Sequence, residues 1–142
     1  MRQIRAIKVD DDRCRDCQVC ILVCSLYHHG ESNPSMSRVF INKDMVNYKF
    51  NITICLHCSD PDCVLACPSD ALEIDERGVV LFIQDECTQC GLCAETCPNN
   101  AIFYNTIQDL YFKCDLCVGS SYGPLCAKLC PVGALTIREG VD

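Results

Sequence analysis

The chain lacks any run approaching the roughly 18 apolar residues of a membrane-spanning helix, which excludes a helical membrane protein. Residues 1–13 hold no apolar secretory core, and no twin-arginine or lipidation motif is present, so a cytoplasmic location is expected. Cations are scarce: 12 Lys and Arg face 19 Asp and Glu, for a formal charge of −7. That balance argues against nucleic acid and anionic membranes as partners, and suits steering towards basic patches. No Gly-rich phosphate loop, nucleophile elbow or paired-carboxylate constellation appears. The chain is therefore expected to have no substrate site of its own and to be non-catalytic by itself. No linker or low-complexity tract breaks the 142 residues, which is one domain by length.

What the chain has is cysteine, 16 in all. They fall into four groups: Cys14, Cys17, Cys20, Cys24; Cys55, Cys58, Cys63, Cys67; Cys87, Cys90, Cys93, Cys97; and Cys114, Cys117, Cys126, Cys130. The first and third have the spacing C-x2-C-x2-C-x3-C. Bacterial-type ferredoxins hold cubane [4Fe–4S] clusters with this run. The other two groups widen only the gap before the third cysteine. Pro68, Pro98 and Pro131 directly follow the fourth cysteine of the last three groups.

Each iron corner of a cubane takes one soft thiolate. Three closely spaced cysteines wrap three corners, and the fourth corner is closed from elsewhere. The x3 step places the third and fourth cysteines about one helical turn apart, so a short helix can bridge two clusters. A disulfide scaffold is disfavoured because C-x2-C-x2-C thiols are too close in sequence to pair readily. Structural zinc uses separated C-x2-C pairs rather than a triplet followed by C-x3-C-P. Buried cysteines acting as small apolar residues account for one or two positions, not four matched quartets. The expected cofactors are four [4Fe–4S] clusters, which bring the holoprotein to a charge of about −15. With so little other apolar material, folding should depend on the metal sites.

The predicted fold class is α+β, with short helices and β-hairpins around the clusters. Residues 3–9, 39–41 and 51–54 read as strands. Residues 72–74 and 79–82 flank a glycine turn as a hairpin, and 102–104 with 110–112 form a second. Each later unit runs cysteine loop, short helix, Cys-Pro, then a small residue and a strand. Ala71, Ala101 and Ala134 are the small residues, expected to let the backbone pass close to a cluster.

The second group, Cys55-Leu56-His57-Cys58-Ser59-Asp60-Pro61-Asp62-Cys63, resembles a C-x-H-C-x-x-P-x-C signature. The fourth, Lys113-Cys114-Asp115-Leu116-Cys117 through Cys126 to Cys130-Pro131, resembles K-C-D-x-C…C-x-x-x-C-P. These signatures resemble the four-cluster ferredoxin-type electron-transfer subunits of anaerobic oxidoreductases, over about residues 14–137. Such subunits serve dimethyl sulfoxide reductase-type molybdoenzymes, formate dehydrogenases and tungsten aldehyde oxidoreductases. The stretch from Cys24 through His28-His29-Gly30 and Asn33-Pro34 to Ser37-Arg38 resembles the iron–sulfur subunits of tungsten aldehyde oxidoreductase-type and benzoyl-CoA reductase-type complexes.

That resemblance implies a crossed ligand set. One cluster takes Cys14, Cys17, Cys20 and Cys130, and its mate takes Cys114, Cys117, Cys126 and Cys24. A third takes Cys55, Cys58, Cys63 and Cys97, and the fourth takes Cys87, Cys90, Cys93 and Cys67. It implies two interleaved modules, one of about residues 1–30 plus 110–142 and one of about 50–110. It also implies a large tungsten or molybdenum–pterin catalytic subunit as partner, with a flavin subunit, a ferredoxin or further copies of the chain as the second. A free polyferredoxin, or a subunit of a hydrogenase, formate dehydrogenase or carbon monoxide dehydrogenase, are the alternatives. The stretch from Cys24 to Arg38 offers a docking surface or a cover over a cluster.

Sixteen thiolates saturate four cubanes, so His28, His29 and His57 are not needed as ligands. His57 is a candidate hydrogen-bond donor near a cluster. Lys113 and Lys128 are candidates to offset cluster charge, or else solvated surface residues.

Overall fold

The structure is a computed structural model that describes residues 5–58, 61–76, 78–106, 108–117, 120–121 and 123–139. Among the described residues, four two-stranded antiparallel sheets and four α-helices make an α+β fold. Strand β1 (Arg5–Val9) pairs with β8 (Leu135–Glu139), so the first and last described segments lie side by side. Residues 3 and 4 of the expected first strand lie outside the described residues. Strands β2 (Val39–Asp44) and β3 (Lys49–Ile54) form a hairpin. Its turn is held by the Asp44 carboxylate, which accepts from the Val46 and Asn47 N–H groups at 3.1 and 3.2 Å. Strands β4 (Leu72–Ile74) and β5 (Val80–Phe82) pair, as do β6 (Phe103–Asn105) and β7 (Leu110–Phe112). Both are the hairpins expected from the sequence.

Helices α2 (Asp62–Ala66), α3 (Leu92–Thr96) and α4 (Leu125–Leu129) each end just before a Cys-Pro pair. Cys67, Cys97 and Cys130 are extended, with ψ of 117°, 118° and 116°. A following proline disfavours the helical region for these residues, which stops each helix after five residues. Helix α1 (Val19–His29) is different, because Ser25 follows Cys24 instead of proline. It runs on for 11 residues and ends at Gly30, whose φ of 77° closes the last turn onto Leu26 O at 3.0 Å.

Helix α1 packs on α4, and α2 packs on α3. The buried core is threaded with sulfur: Cys20, Cys24, Cys55, Cys114 and Cys126 lie with Ile7, Val39, Ile54, Ala101 and Leu135. A second cluster gathers Leu72, Val80, Cys93 and Ile102, and a third gathers Cys14, Phe50 and Ala134. Among the described residues no helix is long and apolar enough to cross a membrane.

Candidate metal centres

All sixteen cysteines are unpaired. One cavity, partly open to solvent, has Cys55, Cys58, Cys63 and Cys97 in its wall. A second has Cys14, Cys17, Cys20 and Cys130. Each therefore draws three thiols from one group and the fourth from another, as the packing of α2 on α3 and α1 on α4 requires. Cys126 and Cys117 lie within electrostatic reach of Cys24, and Cys126 also of Cys114. Cys93 lies within reach of Cys67 and Cys87. Cys90 is in the loop between Cys87 and Cys93, and is exposed. The quartets also neighbour one another. Cys93 feels Cys63, Cys114 feels Cys55, and Cys126 feels Cys20.

As free thiols the more deeply buried of these resist ionisation. Burial first, then the charge of neighbouring thiolates, pushes Cys20 up to about 12 and Cys93 and Cys117 up to about 11. Cys126 is pushed well up for the same reasons. Four buried thiolates in one place need a compensating cation, and iron supplies it with loss of the thiol protons. The donor set is all sulfur, which suits iron–sulfur chemistry better than a hard cation.

The backbone is arranged for these sulfurs. Two residues after the first cysteine of every group the chain turns left-handed, with φ of 60° at Asp16, 49° at His57, 62° at Gln89 and 59° at Leu116. None is glycine, and holding such a φ costs on the order of 1–3 kcal/mol each. The conformation aims the residue's N–H back at the first cysteine. His57, Gln89 and Leu116 donate to Cys55, Cys87 and Cys114 Sγ at 3.4, 3.3 and 3.3 Å. Asp16 does the same for Cys14.

A second set serves the fourth cysteine. Ala71 N–H donates to Cys67 Sγ at 3.2 Å and Ala101 N–H to Cys97 Sγ at 3.4 Å. Ala134 N–H serves Cys130 in the same way. Burial raises the Cys67 and Cys130 thiols, but hydrogen bonds outweigh it and bring both below their ordinary value. At Cys67 these come from the Ser69 hydroxyl and then backbone N–H groups, and at Cys130 from the Leu135, Val132 and Ala134 N–H groups. The three alanines are 0–2% exposed, and Ala71 and Ala101 bring their backbone against the sulfur of the fourth cysteine. Cys24 has no Cys-Pro turn, and its donor comes from Arg38 N–H at 3.2 Å, fourteen residues on. At Gly91 an added Cβ would meet Tyr111 Oη at 2.9 Å, so the third group's loop closes against an aromatic ring.

A family model described as a 4Fe-4S dicluster domain matches residues 46–140, and one described as a 4Fe-4S binding domain matches residues 11–27. The chain belongs to the 4Fe-4S dicluster ferredoxin family. Its cofactors are [4Fe–4S] clusters.

Several relatives of this dicluster ferredoxin are known by name. The polyferredoxin-like subunit of the aliphatic sulfonate oxidoreductase of Pyrococcus furiosus is 34% identical over 125 residues, covering 87% of this chain and 70% of that protein. The second subunit of the anaerobic dimethyl sulfoxide reductase of Escherichia coli K12 is 32% identical, covering 89% and 69%. The ferredoxin-like protein YdhX of E. coli K12 is 30% identical, and the chain spans 61% of its length. Among solved structures, the BamBC complex of benzoyl coenzyme A reductase with 1,5-dienoyl-CoA matches with a TM-score of 0.61 and 28% identity, over 98% of this chain and 78% of that one.

The dicluster ferredoxin holds Cys24 from two sides. His28 Nδ1 lies 3.6 Å from Cys24 Sγ and 3.0 Å from the Cys24 carbonyl, and its Nε2 meets Asp115 at 2.9 Å. Asp115 also accepts from Cys117 N–H at 2.9 Å and lies 3.7 Å from Arg38. Burial opposes both charges, but the mutual contact outweighs it, holding Asp115 down to about 2 and pushing His28 up to about 9. The pair thus joins the end of α1 to the fourth cysteine loop. Asp115→Asn is expected to weaken this joint by about 2 kcal/mol, the scale of a charged hydrogen bond. Faster loss of iron to a chelator would report it, and an unchanged rate would show the joint idle.

Sequence reasoning named His28 with His29 and His57 as residues that pack or hydrogen-bond near a cluster, but foresaw neither the contact of His28 with Asp115 nor that of Arg38 N–H with Cys24. The stretch from Cys24 to Arg38 folds back on Cys24. Ser25 and Ser37 are 0% exposed, and Ser25 Oγ accepts from Asn33 N–H at 3.1 Å. It covers a cysteine, while Leu26, Tyr27, Gly30–Ser32 and Pro34–Ser35 face solvent. Lys128 is exposed, whereas Lys113 is buried.

Proposed function

We propose that this dicluster ferredoxin is a non-catalytic electron-transfer subunit carrying four [4Fe–4S] clusters with the crossed ligand set given above. It relays single electrons between a tungsten or molybdenum–pterin catalytic subunit and a second redox partner. The observation that carries the reading is that two cavities each take three cysteines from one group and one from another. The clusters accept and release the electrons. The protein holds them with thiolates, aims N–H groups at the sulfurs and keeps water from the inner sites.

The quartets neighbour one another in the order Cys87, Cys55, Cys114, Cys14, named by their first cysteine. Exposed thiols occur at the two ends of that order, Cys90 and Cys17. Between Cys58 and Cys114 the sequence has only two cations, Arg77 and Lys113, so the Cys90 end is acidic. The Cys17 end carries Arg13, Arg15 and Lys43 beside its acids, with Lys43 bonded to Asp16 at 3.0 Å. Two unlike ends suit two unlike partners. The same helix pairs, α1 with α4 and α2 with α3, support the two-module division. Sixteen unpaired thiols suit a reducing compartment, the cytoplasm.

The test is anaerobic affinity purification of a tagged chain with metal analysis of everything recovered. About sixteen iron and sixteen sulfide per chain are expected, together with tungsten or molybdenum in a large co-purifying subunit. Reproducible iron near twelve after reconstitution would count against four clusters. Recovery of the chain alone would favour a diffusible carrier. Recovery with a nickel hydrogenase or carbon monoxide dehydrogenase would sink the pterin partner.

A further inference from the structure

Lys113 is 1% exposed, one of the most buried side chains in the molecule. Its Nζ donates to Val80 O at 2.5 Å and to Cys114 O at 2.7 Å. An ammonium has three N–H donors, so one is left over. Among the described residues no carboxylate lies within ion-pair distance of it. The nearest acid in sequence, Asp115, is occupied by His28, Arg38 and Cys117 N–H. A buried cation without an anion is costly enough that proteins rarely keep one. Among the described residues, the negative charge to match it is that of the neighbouring cysteines and what they hold.

The surroundings say which sites. Lys113 lines the cavity of Cys55, Cys58, Cys63 and Cys97, and is bonded in sequence to Cys114 of the neighbouring quartet. Its charge acts on Cys63 of one and Cys114 of the other. Next to it, His57 Nδ1 accepts from Val80 N–H at 3.0 Å, so both ends of Val80 are taken by this pair. With Nδ1 accepting, the imidazole proton sits on Nε2, which is buried and has no protein partner. Two spare donors, one from Lys113 and one from His57, are thus built into the wall between the two inner sites.

We propose that Lys113 is the shared counter-cation of the two inner clusters and sets both of their reduction potentials together. The inference rests on the four-cluster reading above. Reduction adds one electron, and so one negative charge, to a site, and a fixed positive charge beside it favours the reduced form. No proton is needed for balance. One electron enters each inner site from its neighbour and one leaves. Lys113 makes both inner sites easier to reduce by a similar amount, and the outer two feel it least.

The experiment uses anaerobically purified holoprotein, dithionite as reductant and an EPR-monitored potentiometric titration, with iron and sulfide measured on each sample. Lys113→Met keeps the bulk of the side chain and removes the charge. It is expected to make two of the four clusters harder to reduce by at least tenfold in equilibrium constant, about 59 mV for one electron, and to leave the other two in place. Lys113→Arg is expected to restore both. Four unchanged potentials, one shifted potential or four equal shifts at full iron content would overturn the proposal. If Lys113→Met loses iron while Lys113→Arg keeps it, the charge is required at this position and the proposal stands. If both lose iron, the position serves packing alone and the proposal falls. Wild-type protein that never reaches about sixteen iron overturns the four-cluster reading, and this inference with it, whatever the potentials do.

Discussion

Removing the iron is expected to cost this protein most of its regular structure. None of its described elements is built to stand alone. Helices α2, α3 and α4 have five residues each, and α1 has 11. Isolated helices shorter than about 12–15 residues are marginal in water. Every sheet has two strands, and a lone two-stranded hairpin is marginal at best. The core that should hold them together is partly sulfur: Cys20, Cys24, Cys114 and Cys126 belong to its main cluster. Without iron nothing ties the thiols of a site together, and any that ionise repel their neighbours. The left-handed turns at Asp16, His57, Gln89 and Leu116 then have no cluster-bound sulfur to serve and keep only their strain. Chelation under anaerobic, reducing conditions should therefore abolish most of the far-ultraviolet circular dichroism in one transition. Refilling with iron and sulfide should restore it. A native-like spectrum with less than about one iron per chain would refute the coupling of folding to cluster binding.

Much of this was legible because the chemistry is local. Cysteine spacing marks the loops, and a proline after Cys67, Cys97 and Cys130 stops each short helix by a steric rule that needs no tertiary context. The hairpins at 72–82 and 103–112 follow from alternation and turn residues, and appear close to the expected positions. The small alanines after Cys-Pro signalled a close approach, and their N–H groups make it.

What the sequence hid depends on residues far apart. Arg38 reaches Cys24 only because the intervening segment folds back through Ser25 and Asn33, and no pattern of spacing announces that. The left-handed residues after each first cysteine are Asp, His, Gln and Leu, so no glycine flags them. Aligning the four groups on their first cysteine is the signal that would have found them. Lys113 could be read either way because a lysine beside a cysteine is usually solvated. Burial by β5 and the Val80 carbonyl decides it, and β5 lies over thirty residues away. Helix α1 outruns its counterparts for the plain reason that serine, not proline, follows its fourth cysteine.

The other large effect expected is a crossed loss of clusters from single cysteine variants. Cys20 and Cys24 sit one helical turn apart on α1, so a simple view would bind both to the same cluster. The surroundings of Cys24 say otherwise. Its sulfur accepts from Arg38 N–H, touches His28, and lies within reach of Cys114, Cys117 and Cys126. Cys130 in turn lines the cavity of Cys14, Cys17 and Cys20, although Cys126 is four residues before it on the same short helix segment. Cys24→Ser should therefore disturb the site built on Cys114, and Cys130→Ser the site built on Cys14. Each should lose up to about four iron, or leave a three-iron cluster behind. The assignment is read by comparison with variants inside each loop. The EPR spectrum of Cys24→Ser should match that of Cys117→Ser, and that of Cys130→Ser should match Cys17→Ser. Pairing of Cys24→Ser with Cys17→Ser would overturn the crossed arrangement. It would also undo the relay order, because a helix whose two cysteines serve one cluster no longer joins that cluster to the next. If the cross holds, α1 and α4 each carry one thiolate to either side, and the same turn of helix backbone that binds two clusters also fixes the distance between them.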